Sequence, residues 1–204
     1  MGAKLMSTTL NASGTVDRRA FVSQLIAASP DALVVSGLGS PSYDVFAAGD
    51  RDQNFYLWGA MGGAVALGLG LALAQPERSV LVITGDGEQL MGVGSLGTVG
   101  ATQPKNLTIL VLDNGHFGET GMQRSHTSLG TNLVEVAHGF GIKDAFTVTG
   151  EDKVGEIAER VMSRRGATFV QVFINPDEPP RALPPRDGVH VKNRFRAALG
   201  FATF

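Results

Sequence analysis

Apolar runs that stop at a turn residue set the rhythm of this chain. Three are short and rich in Val, Ile and Leu: ALVVS over 32–36, SVLVIT over 79–84 and LTILVL over 107–112. They are apolar at consecutive rather than alternating positions, the pattern of parallel strands buried on both faces. A run at 55–58, another at 145–148 and ATFVQVFI over 167–174 extend the set to six, with the last closing the sheet. Between the runs the period changes. Asp17 suits a helix N-cap, and Phe21, Leu25 and Ile26 then recur on one helical face. A short helix follows Pro41, and residues 90–101 can carry another. A helix starts at Thr131 and simply includes His138. Val154, Ile157, Ala158 and Val161 share the face of a later one, with Arg164 and Arg165 at the negative end of its dipole.

Residues 59–74, GAMGGAVALGLGLALA, are apolar on all sides. They are fewer than the ~20 residues of a membrane span, so they predict a tightly packed Gly/Ala helix that needs protein cover. Strands alternating with helices predict an α/β fold: three layers, α/β/α, with a doubly wound, mostly parallel sheet. The expected organisation is a flexible lead over 1–15, one domain over 16–175 and a Pro-rich tail over 176–204. That tail ends in a helical piece with Arg194, Phe195, Arg196 and Phe201, suited to docking on the domain or on a partner.

Composition narrows the classes. A formal net charge of −2 gives no electrostatic case for nucleic acid. The absence of cysteine excludes thiolate nucleophiles, iron–sulfur clusters and disulfides. MGAKLMSTTLNASG has no apolar core of signal-peptide length, which predicts a cytoplasmic protein without a membrane anchor.

Candidate chemistry gathers where the strands end. Ser36, Gly37 and Leu38 follow one run, Gly85-Asp86-Gly87 the next, and Asp113-Asn114 the third. Ligands of open α/β sheets bind at that edge. Gly85 and Gly87 let the backbone approach a ligand, and the amides opening the next helix favour a diphosphate. Asp86 and the Asn114 side-chain oxygen are hard donors for Mg²⁺ or Ca²⁺. The plainer alternative is a helix cap at Asp86, a turn at Asn114 and an ordinary βα turn at 36–38. The polar loop GHFGETGMQRSHTSLGT offers His116, Gln123, Arg124 and His126. His126 can move protons near neutral pH and Arg124 can pair with an anion; solvated loop residues are the alternative. A dinucleotide fingerprint starts at Gly37-Leu38-Gly39 but has Ser42 where its third glycine belongs, and ranks low.

The spacing GDG, 26 residues (88–113), then Asn resembles the cofactor-binding motif of thiamine diphosphate enzymes. In that family the Asp and Asn side chains and the carbonyl two residues beyond hold the metal, which implies Mg²⁺ on Asp86, Asn114 and the His116 carbonyl. Glu88 departs from the small residue common there; an acid would repel phosphate unless turned away, so it is set aside. WGAMG resembles the family segment that grips the cofactor's rings. This implies that Gly59 gives its carbonyl to the pyrimidine amino group, and that Met61, 24 residues before Gly85, is the wedge under the thiazolium. Ser36, Gly37, Leu38, Phe117 and Gly118 join the implied cofactor contacts.

NFYLWGAMGGAVALGLGLALA and LDNGHFGETGMQ are similar to the sulfopyruvate and phosphonopyruvate decarboxylases. The implied activity is decarboxylation of a small 2-oxo acid, with Met61, His116 and His126 in catalytic roles and Gln123 and Arg124 toward substrate. The family also needs a Glu at the pyrimidine N1′, carried on a separate pyrimidine-binding domain. No second α/β unit remains here once the elements are assigned. The resemblance therefore implies half an active site, completed by a pyrimidine-binding α subunit, with a homodimer of this chain inside an α2β2 assembly. A carboligase of the acetolactate type and a non-catalytic cofactor-binding subunit are the alternatives, with a dinucleotide-dependent oxidoreductase behind them.

Overall fold

The computed structural model describes residues 14–59 and 61–203; most of the expected lead lies outside them. Six parallel strands make one sheet: β1 (Leu33–Ser36), β2 (Asn54–Tyr56), β3 (Val80–Gly85), β4 (Leu107–Asp113), β7 (Asp144–Val148) and β8 (Thr168–Phe173), in the order β2-β1-β3-β4-β8-β7. Between β4 and β7, β5 (His116–Phe117) and β6 (Gln123–Arg124) form a small antiparallel ribbon. Every residue of β1 and of β4 is buried, as consecutive apolar runs require.

Helices cover both faces. On one side α1 (Arg18–Ala28), α2 (Ser40–Ala47) and α7 (Val154–Ser163) pack Phe21, Leu25, Val45 and Ile157 against Leu81, Ile83, Leu110 and Val172. On the other side α3 (Ala64–Ala74), α5 (Gly94–Thr102), α6 (Leu133–Gly139) and α8 (Gly188–Ala198) cover Val80, Val82, Ile109 and Phe169. This is the three-layer α/β/α sandwich. Local chemistry fixes its ends: Asp17 accepts hydrogens from the Arg19 and Ala20 amides at 2.9 and 3.1 Å, and Asn132 and Asp187 cap α6 and α8 in the same way.

Three expectations change. The helix expected over 90–101 is two. The first, α4 (Asp86–Met91), starts at Asp86 itself; Gly92 ends it, where a Cβ would stand 2.1 Å from the Gly62 carbonyl oxygen. β8 does not close the sheet. It inserts between β4 and β7, and its buried run demands neighbours on both sides, whereas β7 is half-exposed and takes the edge. The Gly/Ala helix α3 buries one face only. Gly68 lets it rest on β3, since a Cβ there would meet Val82 at 2.2 Å, but Leu73 is 55% exposed.

Beyond β8 the chain runs irregularly to α8, which packs beside β2. The Phe195 ring meets Phe55 edge-on at 5.6 Å, Arg194 pairs with Asp50 at 2.6 Å, and the Trp58 indole donates to the Pro185 carbonyl at 2.9 Å. Among the described residues no helix is long and apolar enough to cross a membrane.

Sheet order reverses between β1 and β3. The connection from β1 leads outward to β2, and the chain then returns across β1 to β3 and continues to β4 on the other side. The carboxyl ends of β1, β3 and β4 therefore border a crevice, the place where such sheets bind ligands.

Candidate cofactor site

A cavity of about 410 Å³ occupies that crevice. Gly85, Asp86, Gly87 and Glu88 enter it from the end of β3, and Asn114, His116, Phe117 and Gly118 from the end of β4. Leu38 comes from the β1–α2 connection, Pro41 from the first turn of α2, Met61 from the turn before α3, and Gln123 from β6. Gly87 leaves room for the Phe117 ring that closes over it, since a Cβ there would lie 2.4 Å from the ring.

Asp86 is 2% exposed. The Ser125 hydroxyl donates to its Oδ2, and the Thr127 hydroxyl lies 3.3 Å from the same atom. Thr127 also stands 2.8 Å from Oδ1 of Asp113, which further accepts from the Gly115 amide at 2.8 Å, while Gln171 donates to its Oδ2 at 2.6 Å. Two buried carboxylates thus lean on one hydroxyl cluster. Burial raises the pKa of both, and the charge of Asp113 raises that of Asp86 further, against the hydroxyl bonds. A divalent cation at Asp86 would relieve that repulsion.

Asn114 makes an Asx turn: its Oδ1 accepts the His116 amide at 3.0 Å, and its carbonyl lies 2.7 Å from His116 Nδ1. An amide oxygen has two lone pairs, so Oδ1 can still take a cation. Among the described residues no three His, Cys, Asp or Glu side chains converge on a metal site. The donors that fit here are one carboxylate, one side-chain amide oxygen and a backbone carbonyl, all hard oxygens of the kind Mg²⁺ takes. With two glycines flanking the carboxylate, this set fits a metal-bound diphosphate.

Other candidates fall outside the cavity lining. The Ser36 hydroxyl is buried against Ser42 at 2.8 Å. Gly37 is buried beneath Glu88, whose Oε2 would be 1.7 Å from a Cβ there. Gly59 is exposed, with φ of 72° that glycine adopts freely. Arg124 is exposed and its guanidinium is spent on Ser128, through Nε at 3.2 Å and a second bond to the carbonyl. His126 is exposed at the start of a single 3₁₀ turn. Met61 does line the cavity and is 43% exposed, so it is not a core gap-filler in this chain.

Sequence reasoning missed several groups. Ser125 and Thr127 carry no distinguishing signal within the polar loop, yet both are buried. Gln171 carried a signal, a lone amide inside ATFVQVFI, and Asp113 stood beside Asn114. Arg18 is the one Lys or Arg among the described lining residues. It is 7% exposed, with Nε 3.4 Å from Asp44, a carboxylate it shares with Arg19. Glu88, set aside on charge, lines the cavity and is 3% exposed.

Residues 43–172 match the family model described as thiamine pyrophosphate enzyme, C-terminal TPP binding domain. The sulfopyruvate decarboxylase subunit beta of Methanocaldococcus jannaschii is 45% identical over 120 residues, 59% of this chain and 63% of that protein. The phosphonopyruvate decarboxylase of Streptomyces viridochromogenes is 41% identical over 186 residues, 88% of this chain and 45% of that one. The sulfopyruvate decarboxylase subunit beta of Methanococcus maripaludis is 36% identical over 172 residues, 83% of this chain and 90% of that subunit. The chain thus spans from about half to nearly all of these three relatives.

Proposed function

Because this chain belongs to the thiamine pyrophosphate enzymes, through their C-terminal TPP-binding domain, we propose that it is a β-type subunit of a thiamine diphosphate-dependent 2-oxo acid decarboxylase and holds the Mg²⁺–diphosphate half of the active site. One observation carries the reading. Asp86 and Asn114, from the ends of neighbouring strands, enter one cavity beside a glycine that Phe117 covers.

Asp86, Asn114 and the His116 carbonyl would hold Mg²⁺, and the backbone at Gly85 and Gly87 would meet the diphosphate. When bound, thiamine diphosphate supplies a nucleophilic carbon and an electron sink for loss of carbon dioxide from a 2-oxo acid. Met61 would support its rings, with the Gly59 carbonyl beside them. His116 is oriented by the Asn114 carbonyl at Nδ1, which leaves Nε2 as its free proton-handling atom. Gln123 faces the cavity and would meet substrate, whereas His126 and Arg124 would need the 115–130 loop to move.

The substrate we favour is a small 2-oxo acid with a second anionic group, as the names of the relatives suggest. The Glu required at the pyrimidine would come from a pyrimidine-binding α subunit, in an α2β2 assembly in the cytoplasm. The names of the β-subunit relatives support a separate partner chain. Purify the chain with its native partner, then follow deuterium exchange at the cofactor's reactive carbon and carbon dioxide release from sulfopyruvate, phosphonopyruvate and pyruvate. Fast exchange with release from one of them is expected. Exchange at the rate of free cofactor would reduce the chain to a non-catalytic binding subunit.

A further inference from the structure

Glu88 is a buried carboxylate that the chemistry above does not use. Its Oε1 accepts the Gly62 amide at 3.3 Å and its Oε2 accepts the Thr84 hydroxyl at 3.0 Å. The backbone N–H groups of Leu38 and Ala64 also bear on it. Its donors therefore come from three places: the strand beneath it, the connection after β1, and the turn that opens α3. Both loops are shaped to receive it. Gly37 carries no Cβ where one would strike Oε2 at 1.7 Å, and Gly62 and Gly92 sit backbone to backbone at the end of α4. Leu38 and Met61, one from each loop, line the cavity.

The objection to an acid beside a diphosphate is thereby answered. The carboxylate spends its charge on donors aimed at it, and hydrogen bonds to a charged acceptor are the stronger kind. Nothing else among the described hydrogen bonds ties the turn at Gly62 to α4 through a side chain.

We propose that Glu88 is a positioning residue that fastens the Leu38 connection and the Met61 turn to the start of α4, and so sets the width of the cavity where the cofactor's rings bind. The ring-binding clause rests on the function proposed above; the fastening does not. Glu88 acts away from the metal ligands, so it should matter for the cofactor's ring end and not for its diphosphate.

The test uses the full chain assembled with its co-purified partner, with Glu88→Ala and Glu88→Gln, read by amide hydrogen exchange and by calorimetric titration with Mg²⁺ plus either thiamine diphosphate or inorganic diphosphate. In Glu88→Ala, exchange at Leu38, Gly62 and Ala64 should rise roughly tenfold or more while the β4 amides stay protected. Thiamine diphosphate affinity should fall by about 10-fold, the lower end of what losing an outer-shell partner costs, and inorganic diphosphate should bind as before. Glu88→Gln keeps one acceptor oxygen and should fall between. Unchanged exchange at the three amides, or equal acceleration in β4, overturns the proposal. So does an equal loss for both ligands, which marks a merely structural residue. Wild-type protein that binds neither ligand would instead sink the cofactor reading, while the exchange result still decides the fastening.

Discussion

The floor of the cavity and its loop wall are built on opposite principles. On the floor, Asp86, Glu88 and Asp113 are 0–3% exposed, and each is bonded to a residue of another element. In the wall, Glu119, Thr120 and Gln123 are exposed; the bonds of Gln123, like those of Arg124 beside it, reach only three or four residues along the chain, and Glu119 makes an exposed ion pair with Arg181 at 3.1 Å. Ser125 and Thr127 are the hinge between the two, rooted in the floor by Asp86 and Asp113. A floor fixed in this way is organised before any ligand arrives, which suits a cofactor that stays. A wall held by short local bonds and one exposed ion pair can be reset by whatever covers it. The apolar side chains left open nearby, Met61 and Met91 at 43% and 62% exposed, ask for such cover.

The contrast orders the expected effects. Asp86→Ala should be the most damaging change. Mg²⁺-dependent thiamine diphosphate binding by the assembled enzyme should weaken by more than about 100-fold, beyond the ~10–100-fold of an outer-shell loss; unchanged calorimetric affinity would remove Asp86 from the metal site. Met61→Ala stands next. Turnover should drop by about 10-fold if the side chain shapes the bound cofactor. Because Met61 is 43% exposed, stability should fall by less than the ~2–5 kcal/mol of a buried methionine. Full activity would leave Met61 as surface cover.

Protons report on the same floor. Asp86, Asp113, Glu88 and Asp44 all have pKa values raised by burial. The folded state then holds protons the unfolded chain has released, so this stability is present in acid and lost as pH rises through the folded values. The metal-free protein should therefore melt at lower temperature toward neutral pH, its stability falling by up to about 1.4 kcal/mol per pH unit for each group titrating. Asp86→Asn should flatten that slope, and Mg²⁺ with cofactor should protect more as pH rises, because the metal needs the ionised carboxylate. A melting temperature independent of pH between about 5 and 8 would contradict the buried carboxylate pair. The smallest effect belongs to the wall. With its guanidinium on Ser128, Arg124→Ala should change KM by less than about threefold for any substrate, in keeping with ~0–1 kcal/mol for an exposed interaction. A rise confined to dianionic substrates would return Arg124 to the site.

The sheet was legible because a strand buried on both faces writes itself as an unbroken apolar run, as in 79–84 and 107–112. Order was less so: nothing local in ATFVQVFI says that β8 sits inside β7, which only the half-burial of Phe146 and the exposure of Thr147 betray once folded. Asp86 and Asn114 were legible as a pair because their spacing joins two strand ends. Their supporting partners were not, since Ser125, Thr127 and Gln171 reach the floor from 14 to 58 residues away, and the polar side chains of the loop look alike until they are buried. Glu88 was misjudged because its charge was weighed against a phosphate and not against the amides it accepts from.

The central claim is that this floor is one half of a catalytic site. The most direct measurement is decarboxylation by the purified chain alone, at saturating thiamine diphosphate and Mg²⁺, against sulfopyruvate, phosphonopyruvate and pyruvate, followed by the same assay after adding the co-purified partner. The account predicts no turnover above free cofactor from the chain alone and turnover once the partner is present. Substantial carbon dioxide release from the chain by itself would contradict it.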